Sequence, residues 1–373
     1  MSRLNIHLLD PFHTGSHRQW SLGWQRNSQH RITLQSLPGR HWKWRMFGAA
    51  PYLAAQLPAE PPDLLVTTDM LDLSTYLGLS RSFYQGVPSI LYFHENQITY
   101  PWSETDRKVA DARNLQYGFL NFTAALAADA LWFNSDYHRQ SFLEGAESLL
   151  KKFPRPSLSF RLEELHAKAQ VRYLGMELSF PAKAKRADNT PPVILWNHRH
   201  EYDKDPEAFF AALRALRRSK TDFRLVVLGE QYRSSPAIFG EARREFDREL
   251  LHWGYTESVA DYRAWLQRAD LLYVTAQQDF FGGSTVEALA AGVIPILPDR
   301  LAYPEHLPPE FQKELLYDTP ERGHALLTNF CRHPEHLQRF ARLRDFVRQR
   351  YDWSVVAPLY DAEARNLSIN LSN

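Results

Sequence analysis

The sequence predicts an α/β protein made of two Rossmann-like domains with a cleft between them, and three observations carry that expectation. Short apolar, β-branched runs recur without strict alternation, as in strands covered on both faces of a parallel sheet. Helix-like segments separate several of these runs, giving a βαβ rhythm twice over. Between the two series lies a polar, Pro-rich stretch, residues 180–192 (FPAKAKRADNTPP), which has no periodicity and reads as a linker.

In the first half the spacing predicts strands at 4–9, 32–37, 64–68, 89–93, 130–134 and 171–174. In the second half it predicts strands at 193–197, 224–228, 271–275 and 294–297, with helices at 206–219 and 284–291. Residues 141–168 read as a helix, a basic Pro-broken loop and a second helix, inserted before the last strand of the first domain. The domains are therefore expected at 1–180 and 193–350, joined by 181–192.

A chain of 373 residues suits two domains at about 150 residues each. With 44% hydrophobic and 23% charged residues, disorder, collagen-like repeats and disulfide miniproteins are excluded. Lys and Arg number 44 against 43 Asp and Glu, so any nucleic acid or anionic membrane must be met by a local patch. The single cysteine, Cys331, has no intrachain partner for a disulfide. The first residues enter a strand-like run with no signal-peptide core, and no apolar run reaches roughly 18 residues. A soluble cytoplasmic protein with no membrane contact is expected.

Missing motifs narrow the chemistry. There is no GxGxxG after the first strand, no GxxxxGK[ST], no GxSxG, no HExxH and no paired CxxC. His198 with His200, and His333 with His336, are expected on surfaces or in polar turns rather than at a metal. Neither metal nor cofactor is expected.

Four clusters remain. Asp279-Phe280-Phe281-Gly282-Gly283-Ser284-Thr285-Val286-Glu287 follows a strand and turns into a helix at its glycines. Such a helix start turns backbone N–H groups and the positive end of the helix dipole towards a phosphate. Glu287, one turn in, is placed to accept hydrogen bonds from ribose hydroxyls. Arg199 and Lys204 lie on the loop 196–206, after the first strand of the second domain, where they can neutralise a diphosphate. His94-Glu95-Asn96-Gln97 follows a strand of the first domain, in a loop placed for substrate contacts. Gly15-Ser16-His17 follows the first strand, with Gly15 permitting close backbone approach to a ligand.

Together these clusters resemble the retaining GT-B glycosyltransferases of family 4. Their acidic-x7-Glu motif matches Asp279 to Glu287, with Asp in place of the usual first Glu. Their Arg and Lys diphosphate clamp matches Arg199 and Lys204, and their His-Asp loop matches His94-Glu95. Phe133-Asn134-Ser135-Asp136-Tyr137-His138-Arg139 resembles a segment of the same family's first domain. The string Phe93-His94-Glu95-Asn96-Gln97-Ile98-Thr99-Tyr100-Pro101, with the Gly15-Ser16-His17 loop and Phe280-Phe281-Gly282, is more specifically similar to the tRNA-queuosine α-mannosyltransferase family, over nearly the whole chain.

That resemblance implies transfer of mannose from GDP-mannose to the queuosine of tRNA-Asp, without metal and without an obligate protein partner. It implies catalytic roles for His94, Arg199, Lys204 and Asp279, and donor binding by Gly15, Gly282, Gly283, Ser284, Thr285 and Glu287. Ser16, His17, Glu95, Asn96 and Gln97 fall on the acceptor side. Tyr351-Asp352-Trp353-Ser354 resembles the start of a C-terminal helix, 351–373, that returns to the first domain. Three other readings stay open: a family 4 enzyme with another donor or a glycan or lipid acceptor, which shares every cluster, a sugar-nucleotide 2-epimerase on the same fold, and a non-catalytic tRNA-binding protein.

An RNA acceptor has separate support in the residues. Between Asp10 and Glu60 there is no acidic residue, yet Arg18, Arg26, Arg31, Arg40, Lys43 and Arg45 occur, interleaved with Trp20, Trp24, Trp42 and Trp44. Cations for phosphates beside flat rings for unstacked bases are what recognition of an RNA loop requires. Arg40, Trp42, Lys43, Trp44 and Arg45 are the densest part of that patch. Lys151, Lys152, Arg155 and Arg161 offer a second.

Overall fold

The computed structural model describes residues 3–101, 114–181, 183, 190–231 and 235–370. The chain divides into two compact units: Met1–Glu177 together with Tyr351–Asn373, and Leu178–Arg350. The division falls just ahead of the polar stretch. The carbonyls of Ser179 and Pro181 accept hydrogen bonds from Arg263 and Gln267, and the Arg263 guanidinium lies 5.0 Å from the Phe180 ring, which ties these residues to the second unit. Most of the expected linker, residues 182 and 184–189, lies outside the described residues.

The first unit holds a parallel six-stranded sheet with strands β1 (Asn5–His13), β2 (Arg31–Pro38), β3 (Leu64–Thr68), β4 (Ser89–Phe93), β5 (Ala130–Phe133) and β6 (Ala169–Val171). Their order is β2-β1-β3-β4-β5-β6. Helices α1 (Gly15–Asn27), α2 (Trp42–Ala54), α3 (Leu73–Leu79), α4 (Asn114–Ala127), α5 (Asp136–Leu150) and α6 (Leu162–Lys168) connect and cover it. β3 and β4 are buried at every position, as strands roofed on both faces must be. Aromatic rings fill one layer of this core, with Phe93 stacked on Phe133 at 4.7 Å and both against Phe142.

Two expectations shift here. β1 runs on to His13, because pairing with β2 resumes at Pro38 after a register break, so Pro11, Phe12 and His13 belong to the strand rather than to a loop. The last strand is 169–171, not 171–174. Its register is set by pairing of Ala169 with Leu131, and Leu174 is buried by tertiary packing instead.

The second unit holds a parallel sheet of β7 (Val193–Trp196), β8 (Arg224–Leu228), β9 (Leu250–Gly254), β10 (Leu271–Tyr273), β11 (Ile294–Pro298) and β12 (Leu316–Tyr317), ordered β12-β11-β10-β7-β8-β9. Around it run α7 (Pro206–Arg218), α8 (Ile238–Glu245), α9 (Val259–Arg268), α10 (Gly283–Ala290), α11 (Pro309–Leu315), α12 (Pro320–Arg332) and α13 (Leu343–Tyr351). The strand order reverses between β7 and β10, which is where doubly wound sheets bind ligands beyond their strand ends. β9 and β12 were not expected from the sequence. Both are sheet edges, one half-buried throughout and the other only two residues long.

The last helix, α14 (Trp353–Asn370), belongs to the first unit. Trp353 lies in a slot that Gly23 and Gly175 keep open: a Cβ at either would fall within 2.4 Å of its ring. Asp361, buried, accepts hydrogen bonds from Trp24 Nε1 (3.0 Å), Ser28 Oγ (2.6 Å) and the Gln29 amide (2.8 Å). Tyr360 donates to the Tyr173 carbonyl at 2.6 Å and packs on Trp132.

Candidate active site

In the second unit the site grows from the carboxyl ends of the two strands at the reversal. The loop after β10 and the short 3-10 turn after β7 (Tyr202–Lys204) are stitched together. Thr275 Oγ1 donates to the carbonyls of Lys204 and Asp205, each at 2.9 Å, and the Gln277 amide donates to the Asp203 carbonyl. This lattice holds Lys204 buried, with Nζ 2.6 Å from the Gln278 carbonyl, 3.3 Å from Asp279 Oδ2 and 3.2 Å from Asp203 Oδ2. Burial works against the charge of Lys204, but Asp279 and Asp203 outweigh it and raise its pKa above the ordinary lysine value.

Asp279 shows the matching balance. Burial works against its charge, and Lys204, His198 and the Tyr303 hydroxyl overcome that and hold it below the usual carboxylate value. Tyr303 is fully buried and donates to Asp279 Oδ2 at 2.9 Å.

Gly282 stands at the start of α10 with φ +83°, a left-handed conformation that favours glycine, and a Cβ there would lie 3.0 Å from the Tyr303 ring. No side chain caps this helix start, so its leading N–H groups are open to a ligand, with Gly283 and Ser284 in the first turn. Ser284 is fixed from behind: its hydroxyl meets His198 Nδ1 at 3.0 Å and its carbonyl accepts from Asn197 Nδ2 at 2.7 Å. Burial, then the Lys204 charge, push His198 down to about 4, so it is neutral at physiological pH. Thr285 is buried. Glu287 accepts from the Tyr262 hydroxyl at 2.9 Å, and burial raises its pKa above the usual carboxylate value. Arg199 is the outermost member, half exposed, and pairs with Glu201 at 3.1 Å.

In the first unit a second cluster forms at the ends of β1, β3 and β4. His94 is buried, and its amide donates to Asp69 Oδ1 at 2.8 Å. Its ring stacks on His17 at 4.0 Å and meets Trp20 edge-on. Burial first, then the charges His17 and His138 would carry, keep His94 well below the ordinary histidine value. Its Nε2 has no partner among the described residues. Gly15 opens α1 at φ +49°, and Ser16 beside it is exposed. His17 lies 3.8 Å from Asp10, and burial brings it down to about 4.

Asn96 is fully buried and shapes the turn: its Oδ1 accepts from the amides of Ile98 and Thr99. Gln97 donates to Glu95 at 2.9 Å, and its amide donates to Asn121. On α2, Trp44 is 66% exposed, while Trp42 packs on Tyr117 at 5.2 Å. Arg40 is exposed, Lys43 and Arg45 partly so.

Two sequence expectations are corrected. Trp20 and Trp24 are fully buried, because their four-residue spacing puts both on the inner face of α1. His198 and His200 lie in the turn after β7 but are buried rather than on a surface, the latter stacked on Phe239 at 4.0 Å. Among the described residues, no three His, Cys, Asp or Glu side chains gather as a metal site would require. Tyr262, Tyr303 and Asn121 were not anticipated, and no sequence motif marks them.

Comparison with known proteins decides the family. The family description "tRNA-queuosine alpha-mannosyltransferase N-terminal" matches residues 5–176, and "Glycosyl transferases group 1" matches 181–342. A Drosophila melanogaster protein named tRNA-queuosine alpha-mannosyltransferase is 31% identical over 369 residues, covering 95% of each chain. The chain belongs to the tRNA-queuosine alpha-mannosyltransferase family. It is a glycosyltransferase.

Solved structures share the family's two-domain α/β architecture, of the GT-B type. Sucrose-phosphate synthase from Thermosynechococcus elongatus superposes with a TM-score of 0.71 at 14% identity, covering 99% of this chain and 100% of that one. The Anabaena protein HepE, solved with UDP and glucose, gives 0.64 at 14% identity, covering 98% and 100%. Among the described residues no helix is long and apolar enough to cross a membrane.

Proposed function

We propose that this enzyme transfers mannose from GDP-mannose to the queuosine nucleoside of tRNA-Asp, with retention at the anomeric carbon and without a metal. One observation carries the donor half of this reading: the open start of α10 lies beside Lys204 and Asp279 at the strand-order reversal of the second sheet. The acceptor half rests on family membership and on the basic, aromatic start of α2.

In this mechanism the diphosphate leaves into a field made by Arg199, Lys204 and the N–H groups of Gly283 and Ser284, which replaces the electrostatic role of a metal. The glycosidic C1–O bond breaks ahead of attack, and the acceptor oxygen bonds to C1 on the face the phosphate leaves. The acceptor proton passes to the departing phosphate oxygen, so no side chain acts as general base. Glu287 holds the ribose and Asp279 orients mannose hydroxyls; within the first unit, His94 is the catalytic candidate, a neutral imidazole.

The test is incubation of the purified protein with labelled GDP-mannose and tRNA from queuosine-competent and queuosine-deficient cells, with no added metal. Label entering only queuosine-containing tRNA supports donor, acceptor and metal independence together. Label in both pools or in neither overturns the acceptor. Donor consumed without any acceptor points to epimerisation.

A further inference from the structure

We propose that a polar concavity on the first unit, where the 97–100 loop meets α4 and α5, is the pocket that takes the unstacked target nucleoside. The proposal rests on the reading that the acceptor is a nucleotide within an RNA loop. The concavity encloses about 660 Å³, within the roughly 300–1,000 Å³ typical of small-molecule sites. Its walls are mainly hydroxyl, amide and charged groups, including Gln97, Tyr137, Gln140, Ser141, Glu144 and Lys152. Such a lining suits a hydroxyl-rich heterocycle and not an acyl chain.

Its wall is rigid. A Cβ at Gly145 would lie 2.6 Å from Thr99 Cγ2 and 2.8 Å from Ile98 Cγ2, so only glycine lets the loop sit flush on α5. Gly118 allows the same approach on α4, where Ile98 Cα comes within 3.4 Å of such a Cβ. Thr99 and Ser141 join their hydroxyls at 2.8 Å across the seam, and Asn96 fixes the turn beneath. Gln97 lines the concavity and donates to Glu95, which ties the pocket's edge to the loop that carries His94.

What flanks the concavity points to the ligand. α4 contributes Leu115 and Gly118 to its wall, and the neighbouring residues of that helix face aromatic, basic segments. Tyr117 packs on Trp42 at 5.2 Å and on Phe47 at 5.5 Å, beside Lys43 and the exposed Trp44. Phe119 packs on Phe153 at 5.0 Å, which follows Lys151 and Lys152. Lys152 thus lines the pocket itself, and aromatic, basic segments pack against the helix that walls it. An RNA loop binds in this way when one base is splayed into a protein pocket while its neighbours stack outside.

The test measures binding of the full chain to a fluorescent anticodon stem-loop with and without queuosine, by anisotropy. Wild type should prefer the modified loop by about tenfold or more. Ser148→Trp, at an exposed position lining the concavity, should abolish that preference while keeping the affinity for the unmodified loop. Trp44→Ala should weaken both loops alike. Circular dichroism confirms that each variant is folded. Ser148→Trp retaining the preference overturns the pocket. So does wild type binding the two loops equally, and the labelled-donor assay then shows whether the acceptor reading falls with it.

Discussion

The Tyr303 hydroxyl donates to Oδ2 of Asp279, the same oxygen that faces Lys204 Nζ. A carboxylate one methylene shorter than the glutamate usual at this position is thereby fixed from two sides. Tyr303→Phe keeps the ring beside Gly282 and removes only the hydroxyl. A hydrogen bond to a charged group is worth about 1.5 kcal/mol, so kcat/KM for the donor should fall about tenfold. Steady-state kinetics checks this, and unchanged kinetics would show that Lys204 alone fixes the carboxylate.

Arg199 and Lys204 should separate in a paired experiment. Each alanine variant should lose about 2–4 kcal/mol of transition-state stabilisation, by analogy with loss of one preorganised donor. Arg199 is half exposed, so Arg199→Ala should leave the melting temperature in place. Lys204→Ala strands the charges of Asp203 and Asp279 and should lower it as well. Turnover and thermal denaturation, measured side by side, decide; full activity in both variants removes them from the site.

Acid should destabilise the fold through its buried histidines. Burial brings His7, His17, His198, His200 and His306 each down to about 4. Unfolded, such groups titrate near 6.5, at about 1.4 kcal/mol per pH unit each. Between about pH 6.5 and 4 the unfolded chain takes up protons that the folded chain refuses, so stability is fully present above that window and is lost as pH falls through it. Melting temperature against pH should decline steadily over this range, and a flat profile contradicts the assignment.

Asp361→Ala should cost about 3 kcal/mol or more, because it leaves Trp24 Nε1, the Ser28 hydroxyl and the Gln29 amide without their acceptor in a buried place. Urea unfolding monitored by tryptophan fluorescence reads the loss. Asn at the same position keeps one acceptor oxygen and should recover part of it.

The interior strands were legible in the sequence because burial on both faces writes a continuous apolar run, as at Leu64–Thr68 and Ser89–Phe93. The two edge strands of the second sheet were missed, although the edge strand β2 of the first sheet was read. β9 (Leu250–Gly254) is half-buried throughout, and His252 and Gly254 cut its apolar run to Leu250-Leu251 and Trp253. In the site, the Gly282–Glu287 segment was legible because one short stretch holds both the turn and the helix start. Tyr303 and Tyr262 were not, since each meets its carboxylate across 24 or 25 residues and the fold alone brings them together. The tryptophans of α1 misled for the opposite reason. Alternation with arginine in sequence resembles a binding platform, whereas helical spacing turns Trp20 and Trp24 inward.

Helix α14 also sets an order of events during synthesis. The second unit is one uninterrupted stretch, Leu178–Arg350, and is whole once that stretch has left the ribosome. The first unit starts earlier but lacks Trp353, Tyr360 and Asp361 until the stretch after the second unit is made. Until then the indole edges of Trp20 and Trp24 have no lid, and the slot between Gly23 and Gly175 stands empty. The first unit, begun before the second, is therefore completed after it, and a nascent chain stalled ahead of Trp353 leaves Trp20 and Trp24 without Tyr360 and Asp361.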